Sequence, residues 1–169
     1  MRAAFTGHRP PKISGYNNSP ESVETAVRRV LRNEIVREAA EGVDTFLCGM
    51  APGVDLWAAD ELLLLRSSGD LPQSTILVAV IPFAGFQNDF SPLDRQLFER
   101  VAARADRTEI LSTEYARNCY NRRNDYLVDN ADRIIAYYEG IAGGTRYTIR
   151  RARRRGRQVV NLFGGELFR

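Results

Sequence analysis

Four short stretches of this chain combine glycine with residues able to hold an anion or move a proton. Thr6-Gly7-His8-Arg9-Pro10 offers a sharp turn, an imidazole that can donate or accept, and a guanidinium that grips phosphate or carboxylate through two parallel hydrogen bonds. Cys48-Gly49-Met50-Ala51-Pro52-Gly53-Val54-Asp55 leaves an apolar run and enters a segment of helix formers, where free backbone amides suit an anion. Asn121-Arg122-Arg123-Asn124, followed by Asp125 and Asp129, gathers amides, guanidinium groups and carboxylates at the head of a helical stretch. Gly140-Ile141-Ala142-Gly143-Gly144-Thr145 precedes an arginine-rich segment, so its amides and the Thr145 hydroxyl could cradle phosphate.

Each stretch also has a plainer reading. His8 is the only histidine, and a lone histidine is more often a structural hydrogen-bonder than a catalyst. Asp55 taken alone reads as a helix cap or first-turn residue. The Asn121 to Asn124 cluster can be a solvated helix face, and a Gly-Gly-Thr turn alone is a weak signal. The coincidence of three glycine turns at three strand ends carries more weight than any one of them. The resulting ligand-binding set is Gly7, His8, Arg9, Gly49, Met50, Ala51, Gly53, Asp55, Arg123, Asn124, Gly143, Gly144 and Thr145. His8, Asp55 and Asp129 are the candidates for acid–base work, should there be any.

Those residues need elements to position them. Apolar runs rich in β-branched or aromatic residues recur at 2–6, 45–48, 75–81, 108–111, 133–138 and 158–163 and read as six strands. Helical segments lie between them at 22–41, 53–66, 93–105, 116–130 and 145–155. In the first, Val23, Val27, Val30, Leu31, Ile35 and Ala39 form a buried stripe, while Arg28, Arg29, Arg32 and Glu38 are expected to face water. Regular alternation with crossover-length connections predicts an α/β fold: a Rossmann-like, three-layer α/β/α arrangement with a mostly parallel, doubly wound sheet of about six strands. Residues 1–169 read as one domain, with no repeat or linker. In such a sheet, ligands bind beyond the carboxyl ends of the strands, where the four stretches fall.

Several chemistries drop out. A P-loop needs lysine after its second glycine, and the sole lysine, Lys12, follows no such loop. G-x-G-x-x-G is missing after the first strand, which disfavours a dinucleotide cofactor, and no cofactor is expected. One histidine and two separated cysteines make a poor zinc site, so no metal is expected, and no G-x-S-x-G elbow is present. Apolar runs fall far short of the about 20 residues that cross a bilayer. Few cysteines and the lack of a signal-peptide pattern point to a reducing, cytoplasmic setting without membrane contact. The net charge is a modest +3, almost all of its positive part arginine.

Thr6-Gly7-His8-Arg9-Pro10, Gly49-Met50-Ala51, the run Gly53-Val54-Asp55-Leu56-Trp57-Ala58-Ala59, Arg123-Asn124 and Gly143-Gly144-Thr145 together resemble the YpsA-like family of bacterial proteins. The resemblance covers nearly the whole chain. It implies membership of the SLOG superfamily, Rossmann-like proteins related to the DNA-processing protein DprA and to the LOG phosphoribohydrolases, and thought to bind nucleotides or their derivatives. The enzymes among those relatives carry Pro-Gly-Gly-x-Gly-Thr-x-x-Glu, whose glutamate takes part in glycosidic cleavage. Aligning Gly144-Thr145 with its Gly-Thr puts Thr148 at the glutamate position, so that activity does not carry across.

The leading expectation is a domain that binds or senses a nucleotide-like small molecule such as ADP-ribose, its phosphates held by the Gly49–Gly53 and Gly143–Thr145 turns, Arg9 and Arg123. An enzyme hydrolysing or transferring such a ligand comes second. Single-stranded nucleic-acid binding comes third, along Arg146, Arg150, Arg151, Arg153, Arg154, Arg155 and Arg157. The apolar tail Leu162-Phe163 with Leu167-Phe168 could pack on its own core or on a second copy in a homo-oligomer.

Overall fold

The computed structural model describes residues 1–164. Along them run β1 (Arg2–Gly7), α1 (Pro20–Ala40), β2 (Thr45–Cys48), α2 (Val54–Ser68), β3 (Ile76–Ile81) and α3 (Pro92–Arg104). There follow β4 (Arg107–Ile110), α4 (Cys119–Asp129), β5 (Arg133–Tyr137), α5 (Gly144–Arg154) and β6 (Gln158–Asn161). Each expected strand and helix is present, with ends shifted by a turn or less. Two 3₁₀ turns, Pro10–Lys12 and Phe86–Asp89, carry no periodic pattern that would announce them.

The six strands form one sheet in the order β4-β3-β2-β1-β5-β6, and every neighbouring pair is parallel. The chain winds outward from β1 to β4, then returns to the opposite side of β1 with β5 and β6. The winding reverses between β1 and β5, and in an open parallel sheet this is where the helices diverge and leave a crevice.

Both faces of the central strands are buried, so their sequences are nearly continuous apolar runs. On β2, Phe46 and Cys48 join the core beneath α1, α2 and α3, which includes Phe5, Leu31, Ile35 and Leu62. Leu47 points the other way and packs with Val78, Val80, Leu127 and Ala152 beneath α4 and α5. This makes three layers. α2 is buried along almost its whole length because it sits on the sheet between α1 and α3. Of the apolar tail, Leu162 lies against the first core, while Phe163 stays exposed and meets the Tyr137 ring edge-on at 5.7 Å. Leu167-Phe168 lie outside the described residues.

The polar face of α1 departs from expectation at Glu38 and, in part, at Arg28. Glu38 does not face water; it is fully buried and accepts a hydrogen bond from Arg133 Nη1 at 2.7 Å. The end of α1 lies over the start of β5, and the ion pair makes that burial tolerable. Burial still pushes the Glu38 carboxyl above its ordinary value, with Arg133 opposing. Arg28 similarly spans helices, reaching Glu24 on α1 and Asp60 and Glu61 on α2, while Arg100 of α3 also meets Asp60. Among the described residues no helix is long and apolar enough to cross a membrane.

Two glycines set how closely β1 approaches α2. A Cβ on Gly7 would stand 2.4 Å from Val54 Cβ, inside any real contact distance. Gly53 has φ +89°, and a Cβ there would lie 2.8 Å from the His8 carbonyl oxygen. The end of β1 can therefore abut the first turn of α2, and the Val54 amide donates to the His8 carbonyl at 3.4 Å.

Candidate functional site

Where the winding reverses, a cleft of about 280 Å³ opens at the carboxyl ends of β1 and β5. The stretch after β1 supplies Thr6, Gly7, His8, Arg9 and Lys12, and the start of α2 supplies Ala51 and Asp55. α4 adds Tyr120, Asn121, Arg123, Asn124 and Leu127; the turn into α5 adds Gly143, Gly144 and Thr145. Segments far apart in sequence thus meet in one place.

The floor is a buried polar cluster. Arg123 donates through Nε to Asn124 Oδ1 at 2.8 Å and through Nη1 to the Gly49 carbonyl, and Nη1 stands 4.0 Å from Asp55 Oδ2. Burial dominates the titration of both charged groups. It pushes the Asp55 carboxyl up to about 6, with Arg123, the Ala51 amide and Arg9 opposing, and it pulls the Arg123 guanidinium below its ordinary value, with Asp55 opposing. Asp55 occupies the first turn of α2, as its spacing implies, but it is buried and lines the cleft.

His8 is buried beside Tyr138, the ring centroids 5.5 Å apart, and its Nε2 accepts from the Glu139 amide at 3.2 Å. An acceptor nitrogen carries no proton, so the proton sits on Nδ1 and the ring is a neutral donor. Desolvation lowers its pKa further, with the Glu139 charge opposing. Glu139 also accepts from the Ser14 amide at 3.0 Å and from the Ser14 hydroxyl, while Lys12 Nζ donates to the Ala142 carbonyl at 3.4 Å. The loops after β1 and β5 are therefore cross-braced.

The amino end of α5 is open. Gly143 in the capping position has no side chain to offer, so the amides of Gly144, Thr145 and Arg146 are unpaired within the helix. Tyr147 is the first residue whose amide is satisfied by the chain, through the Gly143 carbonyl at 3.1 Å. Arg9 stands exposed at the rim, its side chain with no hydrogen bond or ion pair among the described residues. Together these are the positive end of a helix dipole, one free guanidinium and one ammonium.

The structure does not bring every sequence candidate to this cleft. Gly49, Met50 and Gly53 lie behind its wall. The Gly49 carbonyl serves Arg123, the Met50 amide donates to Cys48 Sγ at 3.3 Å, and the Val54 amide serves His8. Part of the start of α2 is thus engaged in packing, and the uncapped amide run that borders the Gly143–Thr145 side of the cleft belongs to α5. Asp129 stands away from the cleft as well, its carboxylate paired with Arg151 at 2.8 Å and Arg155 at 3.6 Å. Arg151 also holds Asp125 at 2.9 Å, so part of the arginine run is a strap between α5 and α4. Thr148 is buried and donates to the Gly144 carbonyl at 2.9 Å, a helix-internal bond.

Sequence reasoning missed Lys12, Tyr120 and Leu127, and left Thr6 and Asn121 out of the ligand-binding set although both belong to the stretches it singled out. Lys12 alone had a usable signal: one lysine in an arginine-rich chain, just past the first strand. Among the described residues no three His, Cys, Asp or Glu side chains come together as a metal site.

An all-parallel sheet of this order with a polar crevice at its reversal point defines a Rossmann-like three-layer α/β domain. The chain belongs to the YspA SLOG family, whose family model matches residues 3–161. It is 22% identical over 156 residues to a UPF0398 protein of Bacillus thuringiensis (strain Al Hakam), covering 90% of this chain and 83% of that one. A UPF0398 protein of Bacillus velezensis is 21% identical over 155 residues, with the same coverage. Among solved structures, DNA processing protein A (DprA) from Streptococcus pneumoniae matches with a TM-score of 0.57 at 22% identity, over 99% of this chain and 52% of that one. This chain therefore spans about half the length of that DprA. DprA from Helicobacter pylori, described for its single-stranded DNA binding mode, matches with a TM-score of 0.60 at 15% identity, over 98% of this chain and 68% of that one. The protein TM1055 matches with a TM-score of 0.59 at 18% identity, covering 97% and 75%. At these identities the structural likenesses speak for the fold.

Proposed function

We propose that the cleft binds the phosphate groups of a nucleotide-derived ligand such as ADP-ribose, and that the protein is a binding or sensing domain. The observation that carries this reading is the meeting of the open amino end of α5 with Arg9 and Lys12 over one cleft. Helix-end amides and unpaired cations are the usual means by which α/β proteins hold phosphate, and each is strengthened by the partial exclusion of water. Two features favour binding over cleavage. His8 is a neutral donor whose lone pair is already used, and Thr148 takes the place that a catalytic glutamate holds in the LOG enzymes. Asp55, raised to about 6, is the group in the cleft suited to proton transfer near neutrality, so the test includes turnover.

Purified protein is titrated with ADP-ribose and followed by thermal unfolding and by chromatography of the ligand. At a hundredfold excess over Kd the ligand stabilises by about 2.7 kcal/mol. The shift is expected to vanish in Arg9→Ala with Lys12→Ala, and the ligand is expected to be recovered intact. Absence of any shift with phosphate compounds overturns the reading; release of base or sugar phosphate makes the protein an enzyme.

A second reading has its own observation. Arg146, Arg150, Arg153 and Arg154 line an open groove with Tyr147 and Gly143, next to the cleft, and form no ion pair among the described residues. A single-stranded nucleic acid could lie along this face of α5, as the DprA likeness suggests.

A further inference from the structure

Between the end of β3 and the start of α4, aromatic rings crowd together. Phe86 is buried and meets Phe83 at 5.6 Å, Phe90 at 5.0 Å and Tyr120 at 5.9 Å. Phe83 in turn meets Tyr115 at 5.6 Å and Tyr120 at 6.3 Å, nearly all of these contacts edge-on. Packing accounts for the inner rings. It does not account for Tyr115 and Tyr120, which remain 60% and 37% exposed while their edges are fixed by the rings behind them. Such a surface gives folding little, because the area stays wet, yet it is rigid and ready for another planar group. Tyr120 also lines the cleft, so this platform is continuous with the wall that carries Arg123 and Asn124.

Size separates the roles of the two ends. At about 280 Å³ the cleft falls just below the usual range for small-molecule sites, roughly 300–1,000 Å³. It has room for phosphate and sugar, and a base attached to them must lie outward on the rim. On the β1 and α5 side that rim is charged, with Arg9 and Lys12; on the α4 side it is aromatic. Burial raises the Tyr120 phenol above its ordinary value, chiefly by desolvation, so the ring presented there is neutral.

We propose that Tyr120, backed by Tyr115 and Phe83, is the stacking platform for a nucleobase, so that the ligand is a nucleoside phosphate and not a bare sugar phosphate. The inference rests on the phosphate reading of the same cleft. Calorimetric titration with ADP and with inorganic pyrophosphate at matched ionic strength tests it. ADP is expected to bind tighter than pyrophosphate by about tenfold, the scale of one stacked base. Tyr120→Ala is expected to erase that advantage by weakening ADP about tenfold more than it weakens pyrophosphate, and Tyr120→Trp to keep or increase it. Equal loss of both ligands in Tyr120→Ala, or no loss of ADP, overturns the platform. Wild-type protein that binds pyrophosphate and ADP equally overturns the platform and spares the phosphate site. Wild-type protein that binds neither overturns both.

Discussion

Asp55 and Arg123 face each other at 4.0 Å beneath the cleft, both buried, and their balance sets how the site responds to pH. The folded carboxyl titrates at about 6, against about 3.9 in an unfolded chain. Between those values the folded state holds a proton that the unfolded state has released. This contribution to stability is fully present below the unfolded value and is lost as pH rises through about 6. Urea midpoints of wild type relative to Asp55→Asn are expected to fall over that window. Ligand affinity is expected to move the same way. The diphosphate of ADP-ribose keeps its charge from about pH 5 to about pH 8, so binding should tighten as Asp55 is neutralised on acidification, and Asp55→Asn should show a flat profile by calorimetry. Arg123→Ala leaves Asp55 buried without its cation and is expected to cost about 3–5 kcal/mol in urea unfolding. Arg123→Lys should not restore it, because one ammonium cannot reproduce the fork that serves Gly49 and Asn124 together.

At the scale of elements, the junction of β1 with α2 is the tightest point of the frame. Gly7→Ala places a methyl group against Val54 Cβ and is expected to destabilise by about 1–3 kcal/mol through overpacking. Gly53→Ala combines a strained φ with a clash on backbone and should cost at least as much, measured by the same urea titration. The elements themselves were legible because each buried strand is an unbroken apolar run, as Ile76–Ile81 is, and the helices between them carry periodic or helix-forming sequence. The cleft was legible in part, since Arg9, Arg123, Asn124 and Gly143 to Thr145 lie just past strands or at helix starts. Its remainder was not. Gly49 to Gly53 has the composition of an anion-binding turn, yet its Gly49 carbonyl is taken by Arg123, its Met50 amide by Cys48 and the next amide, Val54, by His8, and only tertiary packing reveals that. Glu38 breaks the helical polar face for the same kind of reason: its partner, Arg133, is 95 residues away.

For the molecule as a whole, charge is divided between internal straps and an open face. Arg151 and Arg155 of the arginine run are spent on Asp125 and Asp129, whereas Arg146, Arg150, Arg153 and Arg154 remain outward. If those four neutralise phosphates of an oligothymidylate, the logarithm of the binding constant should fall with the logarithm of salt with a slope of about −3. Fluorescence anisotropy over a salt series checks this, and Arg150→Ala with Arg153→Ala should roughly halve the slope. A slope near zero removes the nucleic-acid reading and leaves the cleft as the seat of function.

The position of β1 has a consequence for how the protein comes into being. Ala3 pairs with Phe46 on one side and with Arg133 on the other. As the chain leaves the ribosome, β1 can join β2, β3 and β4 early, but its second edge stays bare until β5 has emerged. The cleft lacks a floor until α4 is made and its open helix end until α5 follows. A ligand can therefore do nothing for the nascent first half. On the binding reading proposed above, the ligand would meet its site only once α5 has been made, and a chain stalled before that point would be invisible to it.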